Sequence, residues 1–378
     1  VKLTDLRKKS SGDLVQVSAR VVWEEIDREP EEIFIATVPD FASDLVPEPE
    51  AFLTGVLIPA LHLGEKRIVA EQDICPRLIQ NLETVMGLMH HWSEGRMKPL
   101  KFEVPLKKNA VYSGRPRRAG MFLSGGIDSL ASLRINRLLF PQEHQDYIRD
   151  GLLLHGFDIG GVIKRGAKYH VFERAMRHME AVAEDAGVTL LPVYTNIRHL
   201  CDDRDLWLNR FFGAVLAAAA LAFSSRFHLV NIAASYDIYN LVPCGSHPLL
   251  DPLYGSADLA IRHCDVHLRR IDKLRIVASW PVALDNLRVC LANVADRLNC
   301  GRCEKCVRTM CGLEAIGALA KCRAFEADRV DPGLFDAFDI TIRHRQPFYE
   351  ELLEPLEARG SLELADRIRR ELGRTDKH

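Results

Sequence analysis

Apolar and polar positions alternate along the chain in two successive patterns. Over 1–106, segments of period two at 14–23, 33–38, 67–70 and 100–104 read as strands, and helical spacing over 50–63 and 76–92 reads as helices. This predicts a separate small N-terminal α/β domain over 1–106 of unassigned role, followed by a basic, Pro-containing linker over 107–118. From Ala119 the pattern changes. Strands over 119–123, 152–156, 189–194 and 228–234 are separated by helices over 129–139, 167–186 and 205–223. Such alternation predicts an α/β fold, a doubly wound parallel sheet with ligands at the carboxyl ends of its strands, here assigned to 107–320. The remainder, 321–378, reads as a helical C-terminal extension. Its helical pattern over 348–372 places Leu352, Leu353, Leu356, Leu362, Leu364, Ile368 and Leu372 at apolar positions that would pack on the core or on a partner, a homo-oligomer included.

Composition narrows the class. With 378 residues and 47% hydrophobic content the chain can bury a large core, and a formal charge of −2 gives no basic surplus for a nucleic-acid backbone. A small-molecule substrate is therefore expected before a nucleic acid, with a carrier protein or protein substrate as the alternative. The charged N-terminal stretch has no apolar run behind it and does not read as a secretory signal. The most apolar segment, 211–223, is shorter than the ~18 residues needed to cross a bilayer, so no membrane span is expected. Ten cysteines, four of them grouped, suit metal binding in a reducing compartment better than a disulfide scaffold, and a cytoplasmic location is expected.

The stretch MFLSGGIDSLASL, Met121 to Leu133, joins a short apolar strand, a Ser-Gly-Gly turn and a helix start. Gly125 and Gly126 permit close backbone approach, and the helix aims free N–H groups at the turn, which makes a cradle for phosphate. Ser124 and Ser129 add hydroxyl donors, while Asp128 can cap the helix or hold a Mg²⁺ ion. There is no Gly-Lys-Ser/Thr, so this is not a Walker loop. Ser124, Gly125, Gly126, Asp128 and Ser129 fit the signature SGGxDS, and the stretch resembles the loop of the PP-loop ATP pyrophosphatases, adenine nucleotide α-hydrolase-like enzymes that cleave ATP to AMP and pyrophosphate. Leu130 departs from that pattern, since many members carry a further Ser or Thr there. The resemblance implies that the matching segment HGFDIGG, His155 to Gly161, lies near adenine and ribose. Asp158 would then contact ribose or metal, or else stabilise the loop beside Gly160 and Gly161.

A second signal lies at Cys290, Cys300, Cys303 and Cys306, spaced C-x9-C-x2-C-x2-C. Thiolates in a Gly-containing knuckle converge on one ion, and four of them complete the tetrahedron that Zn²⁺ favours. An iron–sulfur cluster is the alternative that spacing does not separate. Arg302, Lys305 and Arg308 would partly offset the thiolate charge. The pairing of the two motifs resembles the 7-cyano-7-deazaguanine synthases over about 119–317. That likeness implies adenylation of a carboxylate by ATP, attack by ammonia to give an amide, and a second adenylation that ends in a nitrile. The first third of the chain has no counterpart there. The resemblance also assigns Lys273, in RIDKLRIVAS, to the ATP phosphates, with Arg275 standing where a glutamate is usual.

The polar segment 234–253 follows the fourth strand, where an active site is expected. Ser235, Tyr236, Asp237, Ser246, His247 and Asp251 are candidates for the substrate wall, and some will serve only as turn and capping residues. The expected activity is thus an AMP-forming ligase requiring ATP, Mg²⁺ and Zn²⁺, with Lys273, Asp128 and Ser129 at the chemistry. Two alternatives stand beside it. One is PP-loop sulfur transfer through a persulfide or sulfide, with Cys201, Cys244, Cys264, Cys311 and Cys322 as spare thiols and Cys244 preferred. The other is a nucleotide-binding module without turnover.

Overall fold

Met121 and Phe122 face opposite sides of one strand, and the same alternation sorts the apolar side chains of the molecule into two cores. The computed structural model describes residues 1–108, 117–342 and 345–374. The first pattern supplies β1 (Lys2–Ser11), β2 (Leu14–Val22), β3 (Glu31–Thr37), α1 (Pro49–Leu63), β4 (Arg67–Ala70), α2 (Pro76–Trp92) and β5 (Lys101–Glu103). The second supplies β6 (Arg118–Phe122), α3 (Ile127–Leu139), β7 (Ile148–His155), α4 (Tyr169–Ala186), β8 (Thr189–Thr195), α5 (Arg204–Leu206), α6 (Phe212–Leu221), β9 (Phe227–Ala233) and β10 (Ala260–Cys264). It is followed by α7 (Arg270–Ala278), α8 (Pro281–Asp285), α9 (Glu304–Ala315), α10 (Gln346–Glu350), α11 (Leu353–Ala358) and α12 (Leu362–Leu372).

Among the described residues the strands form one 10-stranded sheet in the order β10-β9-β6-β7-β8-β3-β2-β1-β4-β5. The pairs from β10 to β8 are parallel, as are β1 with β4 and β4 with β5, while β8, β3, β2 and β1 pair antiparallel. The sheet is therefore mostly parallel. The first 106 residues add their strands to this sheet through two pairs, Ile35 with Thr195 and Ala36 with Tyr194. Helix α1 packs against α6, and both are apolar on nearly every face because both are buried along almost their whole length.

In chain order the block β8-β7-β6-β9-β10 reads third, second, first, fourth, fifth. The order reverses between β6 and β9, and in such sheets a crevice opens there beyond the strands' carboxyl ends. Helices α1, α2 and α6 cover one face, and α3, α4, α7, α9 and the tail cover the other.

Several elements differ from the expectations. Strands β1 and β10 are additional. Strand β1 hides its period because it meets β4 only at Lys2 and Leu3, breaks register between Thr4 and Arg7 with Asp5 at φ 53°, and leaves a polar outer edge. The helix expected over 205–223 is interrupted by a π-turn at Trp207–Phe211. The tail is three short helices instead of one, with Gly360 at φ 77° between the last two. Leu352, Leu356, Leu364 and Ile368 are buried, Leu353 and Leu372 are partly buried, and Leu362, read as an apolar contact, is 59% exposed. Most of the expected linker lies outside the described residues. Its first residue, Lys107, is held by Glu48 and the buried Glu50. No helix among the described residues is long and apolar enough to cross a membrane.

Candidate active site and metal centre

The loop after β6 closes on itself. The Ser124 and Ser129 hydroxyls lie 3.2 Å apart, the Gly126 N–H faces Ser124 Oγ at 3.3 Å, and Ser129 Oγ donates to the Gly126 carbonyl at 3.0 Å. Gly126 is the extended residue before α3, so the free N–H groups of the first helical turn lie at this loop. Gly125 has φ 78°, and a Cβ there would lie 2.9 Å from Met179 Cε and 3.3 Å from Arg288 Cβ. The glycine is needed for both conformation and space. Its carbonyl accepts the Arg288 N–H at 2.8 Å.

Asp128, the second residue of α3, is met by two cations from α7. Arg270 Nη1 lies 3.1 Å and Lys273 Nζ 3.7 Å from its carboxylate. Burial pushes this carboxyl up, and Arg270 and Lys273 outweigh it, holding it below the usual carboxylate range. Lys273 is 1% exposed and donates to the Ala234 carbonyl at 2.5 Å, which ties α7 to the end of β9. The loop, Asp128, Lys273 and Ala234 thus gather at the reversal between β6 and β9. Arg275 is exposed and pairs with Asp272 at 2.7 Å, away from this centre. Leu130 is fully buried in the core.

Asp158, after β7, makes no side-chain hydrogen bond or ion pair among the described residues, yet lies within electrostatic reach of Arg198, Arg288 and Lys305. Lys305 faces Asp158 and Asp128, and burial pushes its ammonium below the usual lysine range. Arg308 is 7% exposed, lies 3.4 Å from Glu304, and stands over the Phe348 ring at 4.5 Å. Lys305 is thus within electrostatic reach of Asp128 and Asp158, while Arg308 is taken up by Glu304 and the Phe348 ring. Arg302 remains beside the cysteines and exposed.

Of the expected substrate wall, Ser235 is exposed at the end of β9, and Tyr236 stacks on Phe348 with ring centroids 5.4 Å apart. Burial pushes the Tyr236 hydroxyl up to about 12. Asp237 accepts from Tyr239 N–H at 3.0 Å and from Asn240 at 2.8 Å, the role of a turn cap. Asp251, fully buried, accepts from Ser246 Oγ at 2.6 Å, faces His263 Nδ1 at 2.7 Å and receives the His247 N–H at 3.3 Å. His247 also packs edge-on against Trp92 of α2. Ser246, His247 and Asp251 therefore form a hydrogen-bonded hub, separate from the Asp128 centre.

The four cysteines converge. Their sulfurs all lie within 4.8 Å of one another, with Cys300 to Cys306 at 3.9 Å and Cys290 to Cys303 at 4.0 Å. Zn–S bonds of about 2.3 Å in a tetrahedron give edges of about 3.8 Å, so the set fits a metal such as zinc. Gly301 has φ 70°, and the Arg302 and Cys303 N–H groups point at Cys300 Sγ from 3.5 and 3.3 Å. Hydrogen bonds from Cys303 and Cys306 hold the Cys290 thiol well below its ordinary range. Buried Asn299 braces the site, accepting from the Val289 and Cys290 N–H groups and donating to the Leu287 and Ala324 carbonyls. None of the ten cysteines is in a disulfide.

Sequence reasoning missed Arg270, Arg288 and Phe348. A usable signal was present: Arg270 with Lys273, and Lys305 with Arg308, are each spaced i,i+3 and so share one helix face.

No protein-family model, curated protein or solved structure matches the chain. Its class rests on its own architecture: an α/β protein with a large, mostly parallel sheet and a four-cysteine cluster able to hold a metal. That arrangement is compatible with the PP-loop pyrophosphatase fold that its glycine loop resembles.

Proposed function

We propose that the protein is an ATP-dependent adenylating enzyme that forms AMP and pyrophosphate and activates a carboxylate or amide oxygen for attack by a nitrogen nucleophile. The observation that carries this reading is the glycine loop at the sheet's reversal point with Arg270 and Lys273 gathered on Asp128 beside it. Cations held against a helix N-terminus at a strand's carboxyl end suit a polyphosphate.

In this reading the free N–H groups and the Ser124 and Ser129 hydroxyls bind the terminal phosphates. Asp158, whose carboxylate has no hydrogen-bond or ion-pair partner among the described residues, would hold Mg²⁺, which supplies charge neutralisation when bound with the nucleotide. An oxygen of the acceptor carboxylate attacks the α-phosphorus, and the bond to the bridging oxygen breaks with its electron pair leaving on pyrophosphate. Lys273, fixed by Ala234, stabilises the charge that develops there. A nitrogen nucleophile then adds to the acyl carbon, loses a proton, and expels AMP with the C–O electron pair. Asp128 serves by orienting Arg270 and Lys273. No protein nucleophile is required.

Sulfur transfer has weaker support. Burial pushes the Cys244 thiol up and the Cys264 thiol up to about 12, which leaves both as protonated thiols at neutral pH, and Cys311 and Cys322 are buried. The reading is tested by incubating the metal-loaded protein with α-labelled ATP, ammonium and a panel of carboxylates. The expected products are AMP and pyrophosphate in equal amounts with one acid converted to its amide; ADP and phosphate as products overturn it.

A further inference from the structure

Helix α9 has two working faces. Cys303 and Cys306 lie on one, while Lys305 and Arg308, each two residues further on and so rotated by about 200°, lie on the other. The first face belongs to the four-cysteine site. The second faces α7, and the glycine at 312 lets the two helices come close, since a Cβ there would overlap Leu274 Cδ1. Lys305 and Arg308 both lie within electrostatic reach of Arg270, and Arg270 and Arg308 share the Phe348 ring. Arg308 is more than nine-tenths buried and makes no hydrogen bond among the described residues, its contacts being Glu304 at 3.4 Å and the Phe348 ring. The buried Nε has no hydrogen bond, and the fork, which Glu304 does not hydrogen-bond, is left to receive an anion.

The loop that carries Cys290 is tied to the same place. Arg288 N–H donates to the Gly125 carbonyl at 2.8 Å, Arg288 Nη2 donates to Asn293 Oδ1 at 2.9 Å, and Asn293 Nδ2 donates to the Asp158 carbonyl at 2.9 Å. Both arms of the cysteine site therefore reach this region: 288–293 grips Gly125 and Asp158, and α9 brings Lys305 within electrostatic reach of Asp128 and Asp158 and Arg308 within that of Arg270.

We propose that Lys305 and Arg308 bind the terminal phosphates of the nucleotide, and that the four-cysteine metal site is a positioning device for this anion site. The inference rests on the adenylation reading for the identity of the anion as a polyphosphate. The residues fit the metal, since the sulfur separations match a tetrahedral thiolate site.

The test is calorimetric titration of magnesium pyrophosphate, and separately MgATP, into the metal-loaded chain and its variants, with metal content measured on each sample. Lys305→Gln and Arg308→Gln are expected to keep the metal of the parent while pyrophosphate affinity falls at least about tenfold. Arg302→Gln, an exposed cation on the cysteine side, is expected to change neither. Cys303→Ser is expected to lose both metal and pyrophosphate binding while far-ultraviolet circular dichroism retains the parent spectrum. Unchanged pyrophosphate affinity in both Lys305→Gln and Arg308→Gln overturns the anion site and leaves the adenylation reading intact. Pyrophosphate binding without ATP binding in the parent overturns the adenylation reading and leaves the anion site standing. A metal-free Cys303→Ser protein that binds pyrophosphate like the parent overturns the positioning role.

Discussion

Gly125 shows what one residue contributes. Its φ of 78° belongs to a region that side chains with a Cβ rarely enter, and its neighbours Met179 and Arg288 fill the space such a Cβ would need. Gly125→Ala should therefore cost about 1–3 kcal/mol of stability, read as a lower urea midpoint at unchanged m-value. An unchanged midpoint would show that the loop adopts another conformation. This residue, and the serines beside it, were legible in the sequence because a strand-turn-helix corner is local: strand, turn and helix start lie within a dozen positions. Arg270 and Arg308 were not. Their meaning depends on the approach of α7 to α9 across Gly312, and nothing in a linear spacing records that two helices meet. Asp237, Ser246 and Asp251 illustrate the converse. A polar residue at a strand's carboxyl end reads as a site candidate, yet hydrogen bonds to its own turn use these groups first.

At the scale of elements, the tail is the informative case. Helices α10 to α12 close the second core with Tyr349, Leu352, Leu356, Leu364 and Ile368, and α10 lays Phe348 over Arg270 and Arg308. Glu351 accepts the Ile271 N–H at the start of α7 at 3.1 Å. Burial raises its carboxyl to about 7 against the opposing pull of Arg270 and Arg269, with Asp237 adding to the rise. Between the ordinary carboxylate value and about 7, the docked state binds a proton that the undocked state has lost. Docking is therefore strongest at low pH, weakens as pH rises through this window, and is level above it. Hydrogen-exchange protection of 346–358, corrected for the intrinsic rate, should fall between about pH 5 and about pH 8. Protection that rises across this range would contradict the assignment. The apolar spacing of the tail was legible, but its division into three helices was not, since Gly360 and short-range turns interrupt a pattern that remains periodic on both sides.

At the scale of the whole molecule, alternation of strand and helix predicted a parallel sheet, and a mostly parallel sheet is present. The strand order was not readable, because pairing between distant strands leaves no mark on either one. Nor was the junction by which β3 joins β8, which depends on only two residue pairs. That order matters most for function. It places the glycine loop after β6 and the Tyr236 segment after β9 on the two sides of the reversal point, where α7 brings Arg270 and Lys273 to Asp128, the cations on which the proposed polyphosphate site rests. The most direct measurement is an equilibrium titration of MgATP against the metal-loaded chain, with AMP as the comparison ligand. The result predicted is saturable binding of MgATP with a Kd below about 1 mM, displaced by pyrophosphate and at least about tenfold tighter than AMP. Absence of saturable binding, or equal affinity for ATP and AMP, would contradict the assignment of this crevice to a nucleoside triphosphate.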